Sequence, residues 1–303
     1  MAGATAPGDY LAIKLNLQTL ISDSIATGTN RTSVPLVAPI DHSISAAPMI
    51  REALFPHLHF PRASVYMDKE LLVALNSFLL STDQKFVFVS FMGNNPVPRG
   101  FPIFFCLVAL WFSADSDQRR SRILLGLLAT SFATIASVSL QRHFTPHIRP
   151  FLDPTLHLKI FDPHLTEVWD RLGSFPSDTA TLFFALSTII LIENRLLGVL
   201  CLVWAMMTAG VARVALGYHY PSDIMGALVL GPAMVCLFES IPYLRALVER
   251  FLSLFHARTY IVHALLFLFL AEAENLFLGF QGVLKYLKYL SGITTMTGPP
   301  LVY

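Results

Sequence analysis

The chain has 303 residues, of which 54% are hydrophobic and only 14% charged, with a mean hydropathy of +0.59. A soluble domain carries about 25% charged residues, so the deficit points to a bilayer rather than to a large aqueous-facing core. A net charge of +1, with no basic cluster interleaved with aromatics, excludes a nucleic-acid binder.

In chain order, residues 1–67 mix Ser, Thr and Pro with short apolar pieces and read as a non-spanning N-terminal region. No basic start leads into an apolar block there, so the region does not read as a signal peptide. Residues 68–92 look amphipathic and interfacial, and GNNPVPRG at 93–100 then breaks the chain. Five strong membrane candidates follow at about 98–114, 122–141, 177–194, 196–216 and 222–242, judged against the roughly 20 residues a spanning helix needs. A sixth, at about 258–280, contains Glu272 and Glu274 and would span or lie on the surface. Lys285 and Lys288 fall at helical spacing in the tail. Cys106, Cys201 and Cys236 lie inside apolar runs and read as buried thiols, with no disulfide framework or metal site. The expected architecture is all-α: a polytopic membrane helical bundle with a core over 68–242 and a C-terminal extension over 243–303.

The connections alternate in kind. SADSDQRRS, the ENR turn and SIPYLRALVERF form one set of short loops, while the segment at about 142–176 and the GYHYPSD turn form the other. Successive spans cross in opposite directions, so each set belongs to one side. The unusual polar residues all fall on the second side, in RHFTPHIRP (142–150), PSDT (176–179) and ARVALGYHYPSD (212–223). Arg213 ends an otherwise apolar helix, where snorkelling to the headgroups is the plain explanation. With Arg142 and Arg149 it makes three arginines on one face, the equipment for gripping phosphate oxygens. The two Pro-Ser-Asp strings have a local reading as helix caps, and helix N-termini also favour an anion. His219 and Asp223 share a face if the helix of the fifth span reaches back that far. Asp223 would then hold the imidazole in one tautomer, leaving a histidine able to attack phosphorus.

These strings resemble the type 2 phosphatidic acid phosphatase family, whose helical core is shared with vanadium haloperoxidases and acid phosphatases. Its signature runs Lys-x6-Arg-Pro, Pro-Ser-Gly-His, Ser-Arg-x5-His-x3-Asp, and the spacings from Arg142 to Arg149, Arg213 to His219 and His219 to Asp223 match it. The resemblance implies that Arg149, Arg213 and Ser177 bind phosphate, with Arg142 standing in for the lysine. His219 would be the phosphorylated nucleophile and Asp223 its orienting carboxylate, and no metal or other cofactor is needed. Ala212 replaces the family's Ser, and Asp178 takes a position that some members also fill with Asp.

The serious departure is Thr179, which stands where the family has the histidine that protonates the leaving group. Losing a general acid costs about 10²–10⁴ in rate. An alkoxide leaving group needs that proton, whereas a departing phosphate, with a second pKa near about 6, does not. The substitution therefore favours a diphosphate substrate, unless His143 or His147 supplies the acid. The expected function is a membrane phosphatase or phosphotransferase acting on a lipid phosphate, a polyprenyl or related lipid diphosphate foremost. The phosphoryl group would pass to water or to another acceptor, with Asp178 as a base for that acceptor. A non-catalytic lipid-phosphate binder is the competing class. Arg119, Arg120, Arg122, Arg195, Arg245 and Arg250 lie opposite the site, so the positive-inside rule sets the site away from the cytoplasm, in the plasma (inner) membrane.

Overall fold

A computed structural model describes residues 62–114, 116–143, 148–159, 173–255 and 258–274. Most of the N-terminal region, His147, the middle of the long loop, Lys285 and Lys288 lie outside these residues, and so does the side chain of His143. Among the described residues the structure is helical, with no strand. The helices are α1 (Arg62–Leu79), α2 (Asp83–Asn94), α3 (Pro96–Phe112), α4 (Asp117–His143), α5 (Asp178–Glu193), α6 (Arg195–Ala215), α7 (Pro221–Glu239), α8 (Pro242–Leu254) and α9 (Thr259–Glu274). By length and apolarity α4, α6 and α7 suffice to cross a bilayer, and α2 with α3, bent by 45°, makes a fourth crossing if taken as one span. Phe105, Phe132, Val199, Val203 and Val229 are exposed on these helices, as side chains facing lipid would be. The chain is an integral membrane protein.

Two asparagines set the sharp turns. Asn95 closes α2 and caps α3, its Oδ1 accepting from the Val97 N–H at 2.9 Å. Asn194 does the same between α5 and α6, accepting from the Leu197 N–H at 3.1 Å. In both places a side-chain oxygen satisfies one helix-start donor, which helps the chain to reverse or bend there.

α5 lies at the centre of the bundle. Every residue from Asp178 to Ile190 is buried, the pattern of a helix apolar all round and packed on every face. Its 16 residues extend only about 24 Å at 1.5 Å each, short of the roughly 30 Å hydrocarbon core. The expected span at 177–194 is thus a short helix running through the bundle from end to end, enclosed by its neighbours rather than facing lipid. Glycines permit their approach: a Cβ on Gly198 would lie 2.1 Å from Leu191 Cα, and one on Gly231 would lie 2.7 Å from the Thr181 carbonyl oxygen.

Three other expectations change. SIPYLRALVERF holds helix α8 rather than a loop, begun by Pro242 at the first helical position, where a missing N–H costs nothing. The stretch 68–92 divides into α1 and α2, because Thr82 caps a new helix by accepting from the Lys85 N–H at 3.3 Å. Cys236 is exposed rather than buried, while Cys201 is buried and Cys106 partly so.

Candidate active site

The site is built on the turn that enters α5. Ser137 Oγ and Gln141 Nε2, one helical turn apart on α4, both donate to the Pro176 carbonyl, at 3.0 and 2.7 Å. The Ser177 N–H donates to the Asp223 carbonyl at 3.1 Å, tying the turn to α7. Phe175 fills the space where a Cβ on Gly226 would sit, 2.6 Å from its ring. Ser177 caps α5, its Oγ accepting from the Ala180 N–H at 3.4 Å. A hydroxyl that accepts in a cap keeps its own proton for donation, so capping and phosphate binding are compatible at this residue. Asp178 and Thr179 are both buried, and Asp178 Oδ1 accepts from the Thr179 N–H at 2.8 Å and from its Oγ1 at 3.4 Å.

Two arginines face this turn from other segments. Arg149 is only 1% exposed. Its Nη2 donates to Gln141 Oε1 at 3.4 Å, and its Nη1 lies 3.5 Å from the Tyr218 carbonyl. The loop holding it is strapped down by the Phe151 N–H, which donates to the Gly217 carbonyl at 3.0 Å. Gly217 has φ +79°, the left-handed conformation glycine accepts without strain. Arg213 ends α6 with its guanidinium 4.9 Å from the Tyr218 ring centroid. Its Nε is buried with no hydrogen-bond partner among the described residues. Burial lowers the Arg149 pKa, and Asp178 and then Asp223 oppose that shift. Asp178 also offsets the charge of Arg213.

His219 is fully buried. Its Nδ1 is 3.0 Å from the Ser174 carbonyl and 3.6 Å from Asp223 Oδ2. A carbonyl can only accept, so Nδ1 carries the proton and Nε2 presents a lone pair. That Nε2 is buried and without a hydrogen-bond partner among the described residues. Burial, then Arg149 and Arg213, hold the imidazole well below its usual pKa, so it is neutral and nucleophilic at neutral pH. α7 starts at Pro221 and does not reach back to His219. Asp223 instead accepts from the Tyr220 N–H at 2.7 Å, and the closer orienting contact to the imidazole comes from the Ser174 carbonyl.

Arg149, Arg213, Ser177, Asp178, Thr179, His219 and Asp223 are therefore brought together. Arg142 is not part of this buried group: it is exposed near the end of α4, next to the buried Gln141. His143 closes α4. Residues absent from the motif reading also shape the site. Gln141 positions Arg149, and Asp68 on α1 accepts from both the N–H and the hydroxyl of Ser222. Asn76 donates to the Ala215 carbonyl at 2.8 Å. Arg99 on α3 donates to the Gly93 carbonyl at 3.3 Å and bears electrostatically on Arg213. None has a recognisable motif, and only a polar residue in an amphipathic or Pro-rich run would have drawn notice.

Buried guanidinium groups around a neutral histidine, on a frame of apolar helices, make a membrane protein with a pocket whose charge suits an anion. Residues 123–246, which hold all three motifs, match the family model described as the PAP2 superfamily. That range is narrower than 68–242 and leaves α1 to α3 outside it. The chain is 31% identical over 132 residues to undecaprenyl-diphosphatase BcrC of Bacillus subtilis (strain 168), covering 44% of this chain and 63% of that protein. It is 34% identical over 126 residues to a protein of Escherichia coli (strain K12) named "Putative undecaprenyl-diphosphatase YbjG", covering 41% and 58%. The chain thus spans less than two thirds of the length of these relatives. No solved structure matches it.

Proposed function

We propose that the protein is a membrane phosphatase that removes the terminal phosphate of a lipid diphosphate, of the polyprenyl class, through a phosphohistidine on His219. The observation that carries this reading is the bare, buried Nε2 of a neutral His219 beside Arg149 and Arg213. Binding alone would need the arginines but no nucleophile with a fixed tautomer. The Nε2 lone pair attacks the terminal phosphorus, the bond to the bridging oxygen breaks, and the lipid monophosphate departs. Water then cleaves the phosphohistidine, releasing inorganic phosphate and restoring the imidazole. Arg149, Arg213 and Ser177 hold the phosphoryl oxygens, and the exposed Arg142 lends positive charge at the rim. Asp223 fixes the turn that presents His219.

Thr179 supports the choice of substrate. Its hydroxyl lies 3.4 Å from Asp178 Oδ1 and cannot act as a general acid near neutral pH. A departing phosphate tolerates this, and an alkoxide does not. The names of the two relatives point to the same substrate class. The positive-inside bias supports an extracytoplasmic site in the plasma membrane.

Phosphate release from a polyprenyl diphosphate and from the matching monophosphate tests the reading. We expect His219→Ala to lower diphosphate turnover by about 10³-fold or more. Thr179→His should raise monophosphate turnover about 10²-fold and diphosphate turnover less. Equal activity of wild type and His219→Ala makes the protein a lipid-phosphate binder. A gain from Thr179→His that is no larger on the monophosphate removes the leaving-group argument.

A further inference from the structure

An apolar groove between α3 and α9 is lined wholly by residues outside 123–246. The two helices meet near the C-terminus of α3, where the His263 ring lies 6.2 Å from Trp111 and 4.9 Å from Phe112, centroid to centroid. Toward the site end they leave about 580 Å³ between them, within the roughly 300–1,000 Å³ of ligand pockets. Every side chain lining it is apolar. Val97, Phe101, Phe105 and Val108 form one stripe along α3, about 16 Å long at the helical rise, and Phe267 faces it from α9. Val97, Phe101, Phe105 and Phe267 are each more than half exposed, so the two walls do not close on one another. Two contacts join the groove to the site. Its upper end, at Pro96, lies two residues from Asn94, whose Nδ2 donates at 3.3 Å to the hydroxyl of Tyr218, the residue whose ring carries Arg213. Its floor is Phe104, whose ring centroid is 6.0 Å from that of Phe183, one helical turn after Thr179 on α5. The Trp204 indole N–H donates to the Pro98 carbonyl at 2.8 Å and fixes the α3 wall against α6.

We propose that the α3–α9 groove binds the polyprenyl chain of the substrate, at the isoprene units nearest the diphosphate. This rests on the lipid-diphosphate reading above. An amphiphile with an anionic head and an apolar tail matches the two regions in order: arginines at the site, then an uncharged groove starting beside them. Transfer from bilayer to groove brings no hydrophobic gain, because acyl chains are as apolar as the groove itself. Selection therefore comes from packing. Each isoprene unit carries a methyl branch and a double bond, and the gaps between successive phenylalanine rings take the branches while the ring faces give dispersion contact. A straight saturated acyl chain leaves those gaps unfilled. A tail held in this way anchors the diphosphate before His219, so contacts remote from phosphorus orient the reacting group.

Two measurements test this. The first is kcat/KM of wild type, Val108→Trp and Phe101→Ala on a long-chain polyprenyl diphosphate and on dimethylallyl diphosphate, whose single isoprene unit cannot fill the groove. We expect Val108→Trp, which crowds the groove, and Phe101→Ala, which removes a ring from its wall, each to lower the ratio of long-chain to short-chain kcat/KM about tenfold. Equal losses on both substrates, or an unchanged ratio, overturn the groove as the tail site. The second is photolabelling of inactive His219→Ala protein in detergent with a polyprenyl diphosphate that carries a diazirine in an isoprene unit near the diphosphate. Label should fall on α3 and α9, and unlabelled polyprenyl diphosphate should remove it where saturated phosphatidylglycerol does not. Label elsewhere, or equal displacement by phosphatidylglycerol, overturns the proposal and makes the groove a seat for bulk lipid. Where a variant fails to fold, or short-chain turnover is too slow to measure, the labelling decides. Displaceable label in the groove with no diphosphate turnover by wild type would overturn the phosphatase reading and keep the tail site.

Discussion

At His219 the fold settles a protonation state. The Ser174 carbonyl accepts a hydrogen bond from the Nδ1–H, and the buried Nε2 stays bare beside two guanidinium groups. Because the folded pKa is depressed, the unfolded chain takes up the proton first, near about pH 6.5. The contribution to stability is therefore complete above that pH and is lost as the pH falls below it, by up to about 1.4 kcal/mol per pH unit. Wild-type protein in detergent should show a melting temperature that declines below pH 6.5, and His219→Gln should lack that component. The acid limb of kcat should lie below 6.5 as well. An acid limb centred at 6.5 would mean that the imidazole is solvated, contrary to its burial. The motif spacing made His219, Arg149 and Arg213 legible in the sequence, because each is a polar residue stranded near apolar runs. Gln141 was not legible. Ser137 and Gln141 lie one turn apart and grip the same carbonyl, which sets the inward face of α4. Arg142 is about 100° further round the helix, and a charge at the adjacent position drew the eye instead.

Among the elements, the apolar runs were readable from hydropathy, but their surroundings were not. A core helix and a lipid-facing helix present the same composition, so nothing in TLFFALSTIILI announces that α5 is enclosed. The glycines of its neighbours are what enclose it. A Cβ on Gly231 of α7 would come 2.7 Å from the Thr181 carbonyl oxygen and 3.0 Å from the Ala185 amide nitrogen, both backbone atoms of α5. Thr181 donates through its hydroxyl to the Ser177 carbonyl at 2.7 Å, so a shift of α5 at this level reaches the cap that lines the site. Gly231→Ala should cost about 1–3 kcal/mol by overpacking and lower phosphate release with it. Unchanged melting and unchanged turnover would show that α5 and α7 part more easily than this contact implies. α8 was missed for a different reason: Pro242 reads as a breaker inside a loop, yet at a first helical position it starts the helix instead.

Across the whole molecule the charges separate by end. The site end gathers Arg149, Arg213, His219 and Asp178, and it is tied to α1 through Asp68 and Asn76. At the opposite end Glu193, buried at the C-terminus of α5, accepts from Arg119 at 2.9 Å and pairs with Arg122 at 3.2 Å, while Glu239 pairs with Arg245 at 2.9 Å. These pairs satisfy part of that end's positive charge, but Arg195 and Arg250 add to it, so an excess of arginine remains. The site arginines have a proposed chemical role, and they do not count as topological signals in the same way. On the positive-inside rule the Arg119 end is expected in the cytoplasm and the proposed site on the other face. Two exposed positions report the two ends: Ser116, just before α4, and Thr155, in the loop after Arg149. In a background with Cys106, Cys201 and Cys236 replaced by Ala, a membrane-impermeant maleimide applied to intact cells should label Thr155→Cys and leave Ser116→Cys unlabelled until the membrane is opened. The reverse pattern would put the arginine-rich end outside, and His219 would then meet its lipid diphosphate from the cytoplasmic leaflet.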